Sequence, residues 1–503
     1  MKKAALLLCL TMLLTLFGCG GNTPETTQAP TTTATTAPAE ALELRYDDQL
    51  MLSDLTDEKK PAVTISQQNV TSKVVGTDNA DAAVLTYDEK GKCIVATGTG
   101  TATLEVAGKV YEVTVTAAPI SLFMITGHSV GAGHSGEPPL SVVSADGMAY
   151  SSHGPSALRT VTDLTGIGYN ATEQIPGIDA FTEAGSGSPG EASAIAWQWI
   201  QDTGEKVWVL NSAISGSCVA EWIPGEKFYE DAVALFKTAQ TVLKNEVAAG
   251  HFIVKDMAII YHGGTNFVKA EIGKNITYTQ DQLLDWYMAM WNGFKTEFTM
   301  DINGTGTPQT VSHMGLVPIF THNYVGGFFA DVPMNFYLAA SNEYSDIFMA
   351  SEVGRRWLND ADIQKYFPDV AYSTHVGVPQ KLTQNTQIYY DGVHYRQLAY
   401  NALGFDVATN LHTALRGEFS FTSVEMQDFQ STTIADNHKL YVGEHIDLVP
   451  QVMDPGYGNL EFKVSGNVRK SFPCTITATA PGSGKLEIVC NGEVVKTITF
   501  TIM

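Results

Sequence analysis

Four apolar runs in the middle of the chain are nearly continuous rather than alternating. They are SLFMIT (121–126), KVWVLNSA (206–213), MAIIYHG (257–263) and GLVPIF (315–320). Short apolar runs of this kind are typical of strands that are buried on both faces, as in a parallel sheet covered by helices.

The segments between these runs carry apolar residues at helical spacing. They are ASAIAWQWIQ (192–201), EKFYEDAVALFKTAQTVLKNEV (226–247) and DQLLDWYMAMWNGFKTEF (281–298), and a further helix is expected to end near Leu415. Strands that alternate with helices predict an α/β fold, a three-layer sandwich on a mainly parallel sheet, for residues 119–416. Ligands of such sheets bind beyond the carboxyl ends of the strands, so the residues directly after each run are the candidates for chemistry.

Residues 42–118 and 417–503 have a different, period-two pattern. The N-terminal runs are AVTIS (62–66), CIVATG (93–98), ATLEVAG (102–108) and VYEVTVTA (110–117). This alternation, with turns rich in Gly and Asp, predicts a small antiparallel sandwich. The segment 474–502 repeats the pattern of 93–115, so a second all-β domain is expected at the C-terminus. Both resemble bacterial immunoglobulin-like modules, which leaves two interpretations: spacers for the middle domain, or modules that bind sugar.

The first 18 residues are typical of a secretory signal. Lys2 and Lys3 precede an apolar run that ends at Leu16 and is too short to span a bilayer. The sequence around Cys19 resembles a bacterial lipoprotein signal, which implies a lipidated Cys19; the alternative is a cysteine that merely ends a signal peptide. Residues 19–41 are rich in Thr and Pro and are expected to form a linker. We therefore expect an extracellular, cell-surface lipoprotein anchored to the bacterial membrane by its N-terminal lipid.

Composition narrows the functional classes. The chain of 503 residues has 30 Lys and Arg against 53 Asp and Glu, a formal charge of -23, which disfavours nucleic acid as a partner. With 44% hydrophobic and 17% charged residues, the chain is globular rather than disordered.

The six cysteines show no metal-binding spacing. The sequence has no CxxC or HExxH, so no zinc signature is present. Cys93 and Cys218 are predicted to be buried apolar residues. A hairpin turned at Pro481-Gly482 would let Cys474 and Cys490 face each other, and an exported protein can hold a disulfide there, but the sequence leaves open whether the two cysteines pair.

Chemistry-bearing residues follow the predicted strands. Ser129 lies in the turn GHSVG (127–131), and a serine at a tight strand-to-helix turn exposes its hydroxyl for nucleophilic attack. Gly216 follows the second run and Asn266 follows the third, while Asp391 and His394 stand where the last helix opens.

Taken together, these four blocks resemble an SGNH or GDSL-type hydrolase, most closely the sialate O-acetylesterase-like branch. The blocks of that branch read roughly GQSN, GGT followed by Trp, WxQGESN, and a late DxxH. The resemblance implies a catalytic triad of Ser129, Asp391 and His394. It also implies an oxyanion hole made by Ser129, Gly216 and Asn266, with no cofactor and no metal.

The sequence departs from the family blocks near the expected substrate. His128 and Val130 replace the Gln and Asn that flank the serine, and His262 and Gly264 replace the Gln and Glu of the third block. His128 and His262 are therefore expected to contact substrate or to pack beneath the loop. Trp222 has two interpretations, a wall on which a sugar stacks and a core tryptophan.

The physical chemistry agrees with the resemblance. A serine hydroxyl needs a base, and His394 is suited to that role because Asp391, one turn away, can fix its tautomer. A metal is not required for this acyl transfer, and His128, His134 and His262 lack the spacing of metal ligands.

The sequence thus predicts a serine esterase that removes O-acetyl groups from carbohydrate, with an acetylated glycan as its substrate. Two other functions stay open: a non-catalytic surface protein that binds glycan, and an esterase for lipid or aryl esters. The motif GxSxG at 127–131 also occurs in α/β-hydrolases. That fold is disfavoured because only an all-β domain precedes Ser129 and because its acid and histidine normally lie in separate loops.

Overall fold

The structure is a computed structural model. It describes residues 39–75, 77, 80–133, 149–152, 158–160, 190–214, 216–263, 278–319, 331–356, 394–395, 397–416, 424–427, 433–452, 460–471, 475–490 and 492–503. Glu40–Met503 form one compact unit.

The N-terminal module consists of seven strands and a short helix: β1 (Glu40–Arg45), β2 (Gln49–Met51), α1 (Leu52–Leu55), β3 (Val63–Val70), β4 (Leu85–Asp88), β5 (Cys93–Ala96), β6 (Gly100–Val106) and β7 (Lys109–Thr116). They form two sheets, of order β1-β7-β6-β3 and β2-β5-β4, around one apolar core. The four predicted strands are present. The pairing is antiparallel except between β1 and β7, which run parallel. The immunoglobulin-like character of this module stays a prediction.

The middle region begins with β8 (Ala118–Gly127). The strands β9 (Ala149–Ser152), β10 (Leu158–Thr160), β11 (Lys206–Asn211), β12 (Phe252–Gly263), β13 (His313–Pro318) and β14 (Ile347–Met349) complete a seven-stranded sheet of order β10-β9-β11-β8-β12-β13-β14. All neighbours run parallel except β10 and β9 at one edge. The predicted α/β class with a mainly parallel sheet is confirmed.

Helices cover both faces of this sheet. They are α2 (Ala192–Thr203), α3 (Lys227–Ala248), α4 (Gln280–Glu297), α5 (Asp331–Ala340), α6 (Val353–Arg356) and α7 (Gln397–Arg416). Successive strand residues point to opposite faces, so Leu122 and Met124 pack in one core with α3 and α4. Phe123 and Ile125 pack in the other core with α2 and α7. Both faces need apolar residues, which is why the strand sequences do not alternate.

The C-terminal module contains β15 (Val424–Gln427), β16 (His438–Leu440), β17 (His445–Asp447), β18 (Val449–Val452), β19 (Leu460–Gly466), β20 (Val468–Ser471), β21 (Thr475–Ala478), β22 (Gly482–Cys490) and β23 (Glu493–Ile502). Its sheets have the orders β16-β23-β22-β19, β17-β21-β20 and β15-β18.

The predicted hairpin between Cys474 and Cys490 is wrong. The strands β21 and β22 lie in different sheets, so the turn at Pro481-Gly482 leads from one sheet to the other instead of reversing the chain against itself. Cys490 is buried and has a free thiol, and burial raises the pKa of that thiol. Cys474 lies outside the described residues.

The two modules share one plan. In the C-terminal module, β16 and β23 run parallel at the position that β1 and β7 occupy in the N-terminal module. Gly100 and Gly482 open equivalent strands with almost the same backbone angle, φ 136° and 134°. The sequence repeat between 93–115 and 474–502 therefore corresponds to a repeat of strand order.

The modules contact the middle region at different places. The N-terminal module packs near the beginnings of the central strands, where Lys206 Nζ donates to Asp48 Oδ1 at 2.8 Å and the ring of Tyr46 stacks on His251 at 4.1 Å. Burial of the Lys206 ammonium lowers its pKa. The C-terminal module extends the apolar core that lies under α2 and α7. Among the described helices, none combines the length and the hydropathy of a membrane span.

Candidate active site

Ser129 lies in the turn that follows β8. Gly127 ends the strand at φ 118° and approaches β12 so closely that a Cβ there would lie 2.2 Å from the carbonyl oxygen of His262. A side chain is therefore excluded at this position. The chain then turns at once, because the His128 N–H donates to that same carbonyl oxygen at 2.9 Å and the Ala132 N–H donates to the His128 carbonyl oxygen at 2.9 Å.

The side chains of Ser129 and His394 meet at the carboxyl end of the sheet. Ser129 Oγ lies 2.9 Å from His394 Nε2, although the two residues are 265 positions apart. Ser129 is 8% exposed, so most of this residue is buried. Tyr395, next to His394, is buried and packs against the ring of Tyr400 on α7, so the histidine is held by the start of that helix.

His128 contacts the same hydroxyl. Its Nδ1 lies 3.4 Å from Ser129 Oγ and accepts a hydrogen bond from the Val130 N–H at 3.3 Å. The His128 side chain is 5% exposed, and its contact with substrate stays a prediction.

The loop after β11 is fixed to the Ser129 turn by buried side chains. Asn211 Nδ2 donates to the Gly131 carbonyl oxygen at 2.9 Å, and Ser217 Oγ donates to the Gly127 carbonyl oxygen at 2.7 Å. Trp222 Nε1 in turn donates to Ser217 Oγ at 3.0 Å. Trp222 is 0% exposed. Of its two interpretations, the structure therefore favours a core tryptophan over a wall on which a sugar stacks.

Two backbone N–H groups near the turn, those of Ser129 and Gly216, lack a hydrogen-bond partner within the described residues. Gly216 is exposed and has φ 71°, in the left-handed region that favours glycine. Unsatisfied donors of this kind are what an oxyanion requires.

Glu191 is a residue of the site that sequence reasoning missed. It directly precedes α2, yet its carboxylate does not cap that helix. Instead, Glu191 Oε2 lies 2.8 Å from His262 Nδ1, and both side chains are 0% exposed. His262 is thus beneath the loop and has no surface for substrate. The only signal in the sequence was a lone acid at the start of an apolar helix.

Several predicted residues lie outside the described residues: Cys19, His134, Gly264, Asn266 and Asp391. Their proposed roles stay predictions. Within the described residues, no group of three His, Cys, Asp or Glu side chains is arranged to hold a metal ion.

Comparison with known proteins adds little. No protein-family model matches the sequence, and no curated protein matches it. Among solved structures, a protein from Arabidopsis thaliana is similar at 14% identity with a TM-score of 0.33, over 60% of this chain and 99% of that one. A carbohydrate acetylesterase from Xanthomonas citri is similar at 14% identity with a TM-score of 0.32, over 92% of this chain and 96% of that one. Similarities this low carry no argument about function, so the site is interpreted from its own geometry.

Proposed function

We propose that this chain is a serine esterase of the SGNH type that removes O-acetyl groups from carbohydrate. The observation that carries the proposal is the 2.9 Å approach of Ser129 Oγ to His394 Nε2 at the carboxyl end of a parallel sheet. Both residues were expected in these roles from the sequence blocks, and a hydroxyl beside an imidazole is the minimum for nucleophilic acyl transfer.

In the proposed reaction, the Ser129 hydroxyl attacks the ester carbonyl carbon while its proton passes to His394 Nε2. The carbonyl oxygen becomes an oxyanion, which the unpartnered N–H groups of Ser129 and Gly216 can stabilise, with the Asn266 amide as the third donor expected from the resemblance. His394 then protonates the departing sugar oxygen. A water molecule then attacks the acyl carbon while its proton passes to His394. The bond from that carbon to Ser129 Oγ breaks, acetate leaves, and His394 returns the proton to Ser129 Oγ. Asp391 is proposed to hold the His394 imidazole and to stabilise its charged form.

The choice of an acetylated glycan rests on the resemblance of the four sequence blocks. We also propose a place for this activity: the outer surface of a bacterial cell, with Cys19 lipidated and residues 19–41 as a linker.

The test is release of acetate by the full chain from p-nitrophenyl acetate and from a panel of acetylated glycans. We expect turnover of both, with the glycans preferred. Binding of glycan without acetate release would favour the non-catalytic function, and hydrolysis of only long-chain or aryl esters would favour the other esterase class.

A further inference from the structure

The buried pair Glu191 and His262 takes no part in the proposed reaction, but its position points to a role in holding the catalytic residues. His262 supports the nucleophile turn directly. Its carbonyl oxygen accepts the His128 N–H, and its Cβ is so near Gly131 that a Cβ added there would be 3.0 Å away. A shift of the His262 backbone or Cβ would therefore disturb the turn that holds Ser129.

Glu191 connects this turn to the helix that follows His394. Its backbone packs against α7 at Gly404, where an added Cβ would lie 2.5 Å from the Glu191 carbonyl oxygen. Its side chain reaches the other way, to His262 Nδ1 at 2.8 Å. Glu191 thus contacts both α7, the helix that follows His394, and the end of β12, which lies against the Ser129 turn.

The pair is not explained by stability alone. Glu191 Oε1 and His262 Nε2 are buried without a hydrogen-bond partner in the part of the chain that the structure describes. A carboxylate and an imidazole buried in this way are often less stabilising than apolar residues of similar size. A buried polar contact does, however, allow only one arrangement of its two partners, whereas apolar contacts tolerate several.

We propose that Glu191 and His262 are positioning residues that fix the separation of Ser129 and His394. The inference rests on the proposed esterase function and goes beyond it, because neither residue touches the reacting atoms. Rate should depend on their hydrogen bond, while substrate affinity should not.

The chain offers a matched control at the other end of β12. His251 Nδ1 lies 2.7 Å from Glu246 Oε2, and both side chains are largely buried, at 4% and 14% exposure. This second pair has the same chemistry but lies near the beginnings of the strands, far along β12 from Ser129. A substitution there changes a buried Glu–His pair without disturbing the nucleophile turn.

The experiment compares Glu191→Met, Glu191→Gln and Glu246→Met in the full chain. We expect Glu191→Met to lower kcat on p-nitrophenyl acetate about 10-fold or more at unchanged KM, since a displacement of about 1 Å can cost about 100-fold. It should also slow labelling of Ser129 by a fluorophosphonate. Glu191→Gln keeps a hydrogen-bonding group of the same shape and should restore most of kcat. Glu246→Met should lower the melting temperature but not kcat.

Wild-type kcat and labelling in a folded Glu191→Met protein would overturn the positioning role, as would equal losses in Glu191→Met and Glu246→Met. If Glu191→Met does not fold, Glu191→Asp provides the same test: it keeps the carboxyl group but withdraws it from His262 by one methylene, and it should lower kcat in the same way. A wild-type protein that neither hydrolyses the ester nor reacts with the fluorophosphonate would instead remove the proposed function.

Discussion

Ser129 Oγ and His394 Nε2 lie 2.9 Å apart. Ser129 follows β8, the first strand of the central sheet in chain order, and His394 precedes α7, the last helix of the middle region. The contact therefore joins two segments that are 265 positions apart in the chain. Substitutions of Ser129 and His394 are therefore the first test of the proposed chemistry, provided that turnover and folding are measured separately.

Ser129→Ala should remove turnover and leave the fold intact, because only a hydroxyl is lost from a turn held by backbone hydrogen bonds. The measurement is acetate release, with a thermal melt as the control for folding. Turnover near the wild-type rate in a folded variant would refute the role of Ser129 as nucleophile.

If Asp391 completes the proposed triad, Asp391→Asn should lower kcat by about 10⁴, as in the best-known serine triad, because the wrong tautomer of His394 would then face Ser129. Steady-state kinetics on a small ester measure this. A matched comparison is His394→Ala, in which fluorophosphonate labelling of Ser129 should also weaken. Undiminished labelling in His394→Ala would contradict its function as general base.

Gly127→Ala should destabilise the protein by about 2 kcal/mol or more, because residues other than glycine are strained at positive φ by about 1–3 kcal/mol. The added methyl group would also meet the His262 carbonyl oxygen at 2.2 Å. Urea unfolding measures the change. Gly216→Ala is the control, since it has positive φ but open space around its Cβ position, and its cost should be smaller.

Phe462→Ala should lower the free energy of unfolding by about 3 kcal/mol, the lower end for a buried phenylalanine. Phe462 is 6% exposed and its ring stacks on Tyr337 of α5, so it belongs to the core that the middle region shares with the C-terminal module. Turnover of a small ester well below the melting temperature should not change. A variant with wild-type stability would mean that this contact does not hold the module in place.

The pH dependence of stability should include a contribution from Asp436. The hydroxyl and the backbone N–H of Thr499 donate to its carboxylate and hold the pKa of Asp436 below its usual value. A lowered carboxyl pKa contributes stability above the unfolded pKa of about 3.9. That stability is lost as the pH falls through the folded pKa. Thr499→Val raises the folded pKa of Asp436 toward the unfolded value, so the loss of stability on acidification should become smaller, as measured by melts between about pH 2 and 6. An unchanged loss in this variant would exclude Asp436 as its cause.

Much of the middle region could be predicted because its signals are local. The runs that became β8, β11, β12 and β13 are apolar on both sides of the pleat, since each strand feeds two cores. The helices α2, α3 and α4 begin and end within two residues of their predicted bounds. The strand-end rule placed Ser129 at the carboxyl edge of the sheet, whereas the pairing of Ser129 with His394 was expected from the resemblance of the four sequence blocks.

What could not be predicted depends on partners far apart in the chain. Nothing near Glu191 or His262 shows that they form a pair, because they are 71 positions apart and each alone is compatible with several environments. The false hairpin before Cys490 has a similar origin. Two strands joined by a short turn usually pair, and only the sheet to which each belongs shows that β21 and β22 do not.

The parallel pairing of β1 with β7 has a mechanical consequence. Six residue pairs, from Glu40 with Tyr111 to Arg45 with Thr116, join the strand where the chain enters the module to the strand where it leaves. Tension between the segment before Glu40 and the sheet that starts at Ala118 pulls these two strands in opposite directions along their length. The hydrogen bonds of the ladder are then loaded together in shear, instead of being peeled apart one after another. Under such a load, the module can therefore stay folded and pass the pull on to the sheet that starts at Ala118.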